Sequence, residues 1–415
     1  MKTAPTPTRA SELAAGLSPA DGVVSPFLRA PEGARTVFLV TLLAMCAPLA
    51  GGLVLFGWRA AGVTALAVLS CTVVERAYYR VTHVPALLGR THGVLTGLLL
   101  ALTLPAYVPW YVPVVAGAFA ILVGKAIFGG VGHFVWQPAL VGRLAVAVLF
   151  AAQLAGPDPR FATRRPVLAQ NRLLIGDVRS AGHAQDHLPW RGRTAPRGRD
   201  AFLLTPPVEL LRGLTRGRAD YSALAFRPLD DPRARPAALL EMPPIQDLLW
   251  GTRPGGVGET CGILLVVAGL YLIYRNYVKW PLPVAFLAAA WAVAAVGPVR
   301  FAGPDGVPVT LWVPLLSDEG LGAACTYVNY QLLGGELLLA AMLASVEMTS
   351  RPVTNGGQAV FGLGCGAVAM LLQLYTDVSI PCYMAVLAVS TLTPTIDRLW
   401  RPRVFGTRRF SLRRP

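Results

Sequence analysis

The sequence predicts an all-α, polytopic membrane protein with about ten transmembrane helices. Of its 415 residues, 54% are hydrophobic and only 14% are charged, and the mean hydropathy is +0.52. Soluble domains carry about 25% charged residues. Apolar stretches that approach or exceed the roughly 20 helical residues needed to cross a ~30 Å hydrocarbon core recur along the chain. The composition therefore favours a chain embedded in a lipid bilayer over a soluble protein.

The membrane part divides into two halves, residues 36–156 and 259–397, with five apolar segments in each. The ten segments lie at about 36–57, 60–76, 92–104, 108–128, 136–155, 260–274, 281–299, 331–346, 357–375 and 378–396. The third segment is short and is stopped by Pro105, so it predicts a half-helix or a re-entrant segment rather than a full crossing.

The distribution of charge predicts the orientation of the chain. The tail 398–415 carries seven arginines and no acidic residue, so the positive-inside rule places it in the cytoplasm. Ten crossings place the N-terminal tail 1–35 there too, and this tail lacks the apolar core and cleavage site of a signal peptide. The net charge of +15 does not indicate nucleic-acid binding, because the basic residues lack the interleaved aromatic residues of such a surface.

Residues 157–258 separate the two halves. This insert is rich in Arg and Pro and lacks apolar periodicity, so we expect a long, irregular extracytoplasmic loop. An odd number of spans in each half means that any internal repeat is inverted, an architecture that forms a site near the membrane midplane. The similarity of GLLLALTLP at 97–105 to ELLLAAMLAS at 336–345 supports two inverted five-helix repeats with broken helices.

The clearest local signal is a helix break within residues 124–142. Gly129, Gly130 and Gly132 permit positive φ, and Pro138 suits the first turn of a new helix. Broken backbone at membrane depth is tolerated only where it is buried in protein or lines a cavity, so the break indicates a ligand or cofactor site. A glycine-rich connector at the surface is the alternative.

Ionisable residues inside the apolar segments are candidates for function, because burying a charge in a membrane is costly. These residues are Glu75, Lys125, Arg143, Glu259, Glu336 and Glu347. Most lie close to a predicted helix end, where snorkelling to the interface is the alternative. His133 lies in the helix break, where it could donate a hydrogen bond to a flavin or quinone or cap a carbonyl. The other histidines and the six cysteines show no metal-ligand spacing.

Four ordered motifs resemble the D subunit of the Rnf electron-transport complex and its relative, the B subunit of the sodium-pumping NADH:quinone reductase. The first is the run Gly124-Lys125, Phe128-Gly129-Gly130, Gly132, Pro138-Ala139 and Val141-Gly142. The others are Gly255-Gly256-Val257-Gly258-Glu259-Thr260 with the following GLYLIYRNYVKWPLPVAFL, then Pro352-Val353-Thr354, and finally Thr393-Pro394 with Ile396-Asp397-Arg398, Arg401-Pro402-Arg403 and Phe405-Gly406.

The resemblance implies a subunit of the bacterial inner membrane that passes electrons through flavin and is coupled to sodium or proton translocation. It implies other subunits of such a complex as partners and no activity for the chain alone. In that family an FMN is attached to a threonine of a Ser/Thr-Gly-Ala-Thr motif on the exported side. The best match here is Thr205, within Asp200 to Pro206, although the Ser/Thr-Gly-Ala part is missing. Thr205 is thus the candidate for covalent FMN, and an ordinary loop threonine is the alternative.

The remaining cofactor-site candidates follow from the same motifs, with FMN, riboflavin or another flavin as the ligand. They are Lys125, Gly129, Gly130, Gly132, His133, Gln137, Gly255, Gly256, Gly258 and Glu259. Glu259 is expected to cap the helix that follows it, or else the free N–H groups after Gly255 and Gly256 are expected to hold a flavin phosphate. Two other functions stay open: an inverted-repeat transporter or channel without a redox cofactor, and a scaffold subunit with a decayed flavin site.

Overall fold

The computed structural model describes residues 33–83, 91–154, 249, 255–302, 308–311, 321–345 and 347–400. The structure does not describe residues 1–32 and 401–415, nor nearly all of the predicted loop 157–258, which contains Thr205. The two predicted membrane halves are described almost throughout.

The first half folds into helices whose ends are set by glycine and proline. Its elements are α1 (Ala34–Phe56), α2 (Trp58–Thr82), α3 (Thr91–Thr103), α4 (Tyr111–Ile121), α5 (Pro138–Leu149) and α6 (Ala151–Leu154). Gly57, with φ of +62°, separates α1 from α2, because a residue without Cβ adopts this conformation at little cost. The last turn of α4 continues as a π-helix over Leu122–Ala126.

The second half contains further helices and one short hairpin. Its elements are α7 (Gly262–Tyr274), α8 (Pro281–Val296), β1 (Val299–Ala302), β2 (Pro308–Leu311), α9 (Leu321–Leu333), α10 (Leu337–Leu339, continued by a π-helix over Ala340–Ala344), α11 (Asn355–Tyr375), α12 (Pro381–Ser390) and α13 (Thr393–Leu399). The described residues are therefore helical as predicted, with one short hairpin as the exception among them. Strands β1 and β2 pair in antiparallel fashion, with Val299 opposite Leu311.

Proline and glycine explain this hairpin and two further differences from the predicted segments. Segment 281–299 ends early, because Gly297 and Pro298 stop α8 and leave a short run suited to a strand. Segment 331–346 is divided by a turn at 334–336. Segment 378–396 is divided between α12 and α13, where Pro394 lies in the first turn of α13.

Helix lengths agree with a polytopic membrane protein. Within the described residues, three helices are long and apolar enough to cross a membrane: α1, α2 and α11. The others are shorter. Helix α3 has 13 residues, which span about 20 Å at 1.5 Å per residue, and all of them except Thr91 and Val94 are buried. The third segment therefore forms a short helix inside the protein, as the stop at Pro105 predicts.

The helices of the two halves pack in the same order. In the first half, α2 packs against α3 and α4, and α4 packs against α5. In the second half, α8 packs against the π-helical continuation of α10 and against α11, and α11 packs against α12. The two halves meet where α1 packs against α7 and where α5 packs against α12. In the common apolar core, α3 contributes Leu95 and residues 98–102, and α10 with its π-helical continuation contributes residues 337–344.

Candidate functional site

The predicted helix break is present, and glycine makes it possible. Gly129, Gly130 and Gly132 have φ of +93°, +108° and +98°, which other residues rarely adopt. Pro138 occupies the first turn of α5. A Cβ on Gly124 would lie 2.8 Å from the Pro138 Cα, so the two arms of the break touch backbone to backbone. The π-helical turn before the break is a feature often found at functional sites.

The break carries a buried cation. Lys125 lies in the π-helical turn, and its side chain is almost completely buried. Its Nζ donates a short hydrogen bond to Glu75 Oε1 on α2. Glu75 is itself buried, and a Cβ on Gly93 would lie 2.0 Å from Glu75 Oε2. Two buried charges are tolerated when they are paired, and here Lys125 and Glu75 neutralise each other. Gly93, which has no side chain, leaves space for the Glu75 carboxylate.

His92 extends this pair towards the second half of the chain. The ring lies at the start of α3, is fully buried, and packs edge-on against Phe38 with centroids 5.3 Å apart. Its Nδ1 is 3.2 Å from Lys125 Nζ. An ammonium group only donates hydrogen bonds, so Nδ1 acts as the acceptor and the proton of the neutral ring is on Nε2. That nitrogen lies 3.6 Å from Glu347 Oε1.

Glu347 joins the network from the loop that follows α10. The carboxylate is buried, and Gln137, the residue before α5, donates from Nε2 to Glu347 Oε2 at 3.4 Å. The charge of Arg351 also acts on Glu347. We call Glu75, Lys125, His92, Glu347 and Gln137 the Lys125 network. It connects α2, the helix break and α3 with the loop after α10, so it spans both halves of the chain.

A second buried network forms around Glu259. Tyr383 on α12 donates a short hydrogen bond to Glu259 Oε1, and the Gly256 N–H donates to Glu259 Oε2 at 2.8 Å. On the neighbouring α5, Arg143 Nε donates to the Thr103 carbonyl at 3.1 Å, which places a cation at the C-terminal end of α3, where the helix dipole favours it. The charges of Arg143 and Glu336 both act on Tyr383. We call Glu259, Tyr383 and Arg143 the Glu259 network.

The segment before α7 differs from both sequence expectations. Helix α7 begins at Gly262, so Glu259 does not cap it and instead closes the turn before it. The N–H groups of Val257 and Gly258 donate to the carbonyls of Leu104 and Leu102 at 2.9 and 2.8 Å. With the Gly256 N–H bonded to Glu259, these groups are already used. The expected phosphate cradle therefore does not fit this segment.

The glycines of this segment serve close packing instead. A Cβ on Gly256 would lie 2.8 Å from the Leu102 carbonyl oxygen, and one on Gly258 would lie 2.6 Å from Leu102 Cβ. Gly255 lies half-buried at the start of the turn. The segment thus pairs its backbone with the end of α3, where Pro105 and Gly256 form an isolated antiparallel bridge.

The predicted site residues therefore fall into separate places. Lys125 and Gln137 lie in the Lys125 network, and Glu259 lies in its own network. His133, Gly129 and Gly132 are exposed on the loop of the break, and Thr205 lies outside the described residues. Sequence reasoning did not single out His92 or Tyr383. For His92 a usable signal existed, because it is a titratable residue at the start of a short segment that is otherwise apolar or weakly polar.

The two networks lie at opposite ends of the same two buried elements. Helix α3 begins beside His92 and ends at Thr103, and the α10 element begins after Glu336 and ends before Glu347. Eleven helical residues span about 17 Å. The side chains between are mainly apolar, including Leu98 to Leu102. Within the described residues, two charged sites are thus separated by a tightly packed apolar layer.

Replacing Tyr383 with phenylalanine is expected to lower the free energy of unfolding by about 1–3 kcal/mol, because a buried carboxylate oxygen of Glu259 loses its donor. Thermal unfolding of the detergent-solubilised protein measures the effect. Tyr274→Phe is the matched control, since Tyr274 is 83% exposed. Equal melting temperatures for Tyr383→Phe and the wild type would show that the hydrogen bond to Glu259 contributes nothing to stability.

The chain is similar in sequence to a known family and to several named proteins. The sequence profile described as the NQR2, RnfD, RnfE family matches residues 23–406. The D subunit of the ion-translocating oxidoreductase complex of Halorhodospira halophila is 29% identical over 396 residues, 94% of this chain and 96% of that protein. The D subunit of the proton-translocating ferredoxin:NAD(+) oxidoreductase complex of Clostridium ljungdahlii is 26% identical over 389 residues, 93% and 96% of the two chains.

A third relative carries a different ion in its name. The D subunit of the Na(+)-translocating ferredoxin:NAD(+) oxidoreductase complex of Acetobacterium woodii is 24% identical over 392 residues, 92% of this chain and 94% of that protein. The profile matches nearly the whole chain, including both charged networks and the helix break. This chain therefore belongs to the NQR2, RnfD, RnfE family.

Proposed function

We propose that this chain is the D subunit of an Rnf-type complex, which couples electron transfer between ferredoxin and NAD(+) to ion movement across the bacterial inner membrane. Two relatives whose names state electron transfer between ferredoxin and NAD(+) match more than nine-tenths of the chain. Other subunits of the complex are its partners, and the chain alone is inactive. Both termini lie in the cytoplasm, as the arginine-rich tail favours.

The observation that carries this proposal is the Lys125 network. Ionisable groups buried at membrane depth are costly and mark ion paths or proton relays. Here two carboxylates, an ammonium group and an imidazole meet at a broken helix, between the two halves of the chain. The network thus provides groups that exchange charge within a protein interior otherwise made of apolar helices.

The common packing order supports an inverted repeat as the framework of this function. When the helices are numbered by the five predicted segments of each half, the second packs against the third and fourth, and the fourth packs against the fifth. The first helices of the halves contact each other, as do the fifth helices. A two-fold axis in the membrane plane relates such halves. This axis interchanges the buried helices α3 and α10. It thereby also interchanges the Lys125 network and the Glu259 network.

The flavin belongs to the exported loop in this proposal. Thr205 follows Phe202, Leu203 and Leu204, where the family has small residues, and it carries FMN through a phosphoester bond formed by a flavin transferase. A bound flavin supplies one- and two-electron chemistry. Riboflavin or another flavin held without a covalent bond is the alternative ligand.

Intact-mass analysis of the protein, expressed with its partner subunits and a flavin transferase, tests the flavin assignment. The expected result is an added mass equal to FMN in the wild type and in Thr215→Ala, the matched control in the same loop. In Thr205→Ala the added mass is absent. An unmodified wild type, or FMN retained in Thr205→Ala, would overturn the assignment of Thr205.

A further inference from the structure

The geometry points to the proton as the ion that the Lys125 network handles, in preference to sodium. This inference rests on the proposed function and adds to it the identity of the ion. The names of the relatives leave the choice open, because the Clostridium ljungdahlii protein is named proton-translocating and the Acetobacterium woodii protein is named Na(+)-translocating. The side chains of this chain must therefore decide it.

The network is poorly suited to hold a metal cation. Hard cations are bound by several oxygen ligands. In this network the place between the carboxylates is taken by nitrogen: Lys125 Nζ bonds Glu75, and both oxygens of Glu347 face nitrogen atoms of His92 and Gln137. Within the part of the chain that the structure describes, no group of three or more His, Cys, Asp or Glu side chains is arranged to hold a metal ion.

Charge argues in the same direction. Lys125 already neutralises Glu75, and the guanidinium of Arg351 acts on Glu347 from the same loop. Cys71 and Tyr79 on α2 also interact electrostatically with the pair of Lys125 and Glu75, and Glu347 acts on Lys125 as well. A sodium ion would therefore add a positive charge to groups that already neutralise one another in a low-dielectric interior, and it would also need several oxygen ligands there. A proton adds the same charge, but it bonds directly to a nitrogen or oxygen that is already present and needs no ligand shell.

The neighbouring groups form a path for protons. Lys125 Nζ gives up a proton to His92 Nδ1, so one N–H bond breaks and another forms. The ring then releases the proton on Nε2 to Glu347 Oε1, which becomes a carboxylic acid. An incoming proton on the Glu75 side restores the ammonium group. One proton thus enters beside Glu75 and one is held at Glu347, while the ring is left in its other tautomer.

The link between His92 and Glu347 controls this path. At 3.6 Å it is too long for a hydrogen bond, whereas the contacts of Lys125 with Glu75 and with His92 are within hydrogen-bond range. The proton therefore crosses only when Glu347 approaches the ring. Glu347 lies in the loop held by Gln137 of the helix break, so a shift of the break would change the distance between Glu347 and His92.

The substitution His92→Asn separates this role from a structural one. The Asn oxygen occupies a position near that of Nδ1 and still accepts from Lys125, but the chain loses the nitrogen that faces Glu347. In the complete complex reconstituted in liposomes, electron transfer is started with reduced ferredoxin and NAD(+). Proton movement is followed with a pH-sensitive dye in sodium-free medium, and radioactive Na(+) uptake is followed in parallel.

The wild type is expected to move protons in sodium-free medium, and a protonophore is expected to abolish any Na(+) uptake. His92→Asn is expected to lower proton movement per electron transferred by roughly 100-fold, the scale of a lost proton-transfer group. Glu347→Gln is expected to do the same. The control is His83→Asn, because His83 is exposed at the end of α2 with φ of +54°, a conformation that Asn tolerates.

The outcomes distinguish the inference from the proposed function. Na(+) uptake that resists the protonophore, or wild-type proton movement in assembled His92→Asn, overturns the proton assignment and leaves the Rnf-type function standing. Electron transfer that moves neither ion overturns both. Assembly of each variant is checked by the amount of partner subunits that copurify with it. If His92→Asn does not assemble, Glu347→Gln decides by the same readout.

Discussion

Replacing Lys125 with methionine is expected to abolish coupled ion transport and to lower the free energy of unfolding by about 3–5 kcal/mol, the cost of leaving one partner of a buried ion pair alone. Met is close to Lys in length, so the change removes the charge and the donors with little loss of packing. The Glu75 carboxylate then stays buried without its cation. Thermal unfolding in detergent and ion transport by the reconstituted complex measure the two effects.

A double variant separates charge pairing from transport. In Lys125→Met combined with Glu75→Gln both charges are gone, so most of the lost stability is expected to return, because neutral groups replace a buried pair at little cost. Transport is expected to remain absent, since neither group then exchanges a proton. Lys279→Met, on the half-buried turn before α8, is the matched control. A fully stable Lys125→Met single variant would contradict the described pairing.

The substitution Gly366→Ala is expected to destabilise the second half by about 3 kcal/mol, at the upper end of the cost of overpacking a close-packed core. A Cβ on Gly366 would lie 2.0 Å from the Phe286 carbonyl oxygen, and one on Gly362 would lie 2.5 Å from the Leu282 carbonyl oxygen. The two glycines are four residues apart on α11 and face α8. Small residues with this spacing let helix backbones approach closely in a membrane.

Adding Gly362→Ala to Gly366→Ala is expected to prevent α8 and α11 from packing, so the detergent-solubilised protein is expected to aggregate on size-exclusion chromatography. Gly62→Ala is the control on α2, because a Cβ there meets no atom within 4 Å. That variant is expected to elute and to melt like the wild type or slightly above it, since Ala favours helix over Gly. Equal stability of Gly366→Ala and Gly62→Ala would contradict the close approach of α8 to α11.

The prediction of secondary structure succeeded where the signal is local. Pro105 stops α3 where expected, and the break from Gly129 to Pro138 is present with three glycines at positive φ. Both depend on the backbone preferences of single residues. Local preferences also explain the errors. The hairpin of β1 and β2 follows α8 closely, and hydropathy alone joins the start of β1 to that helix. Hydropathy does not register that Gly297 and Pro298 end the helix.

Composition and hydropathy by themselves determined that this chain is a polytopic membrane protein, and its ordered motifs determined its family, because both properties are carried by residues near one another in sequence. Only the tertiary structure decided which charged residues meet. Glu75 and Lys125 are 50 positions apart, and Gln137 and Glu347 are 210 apart. Such pairs depend on how the two halves pack. The residues next to a buried charge in the sequence do not indicate which distant residue becomes its partner.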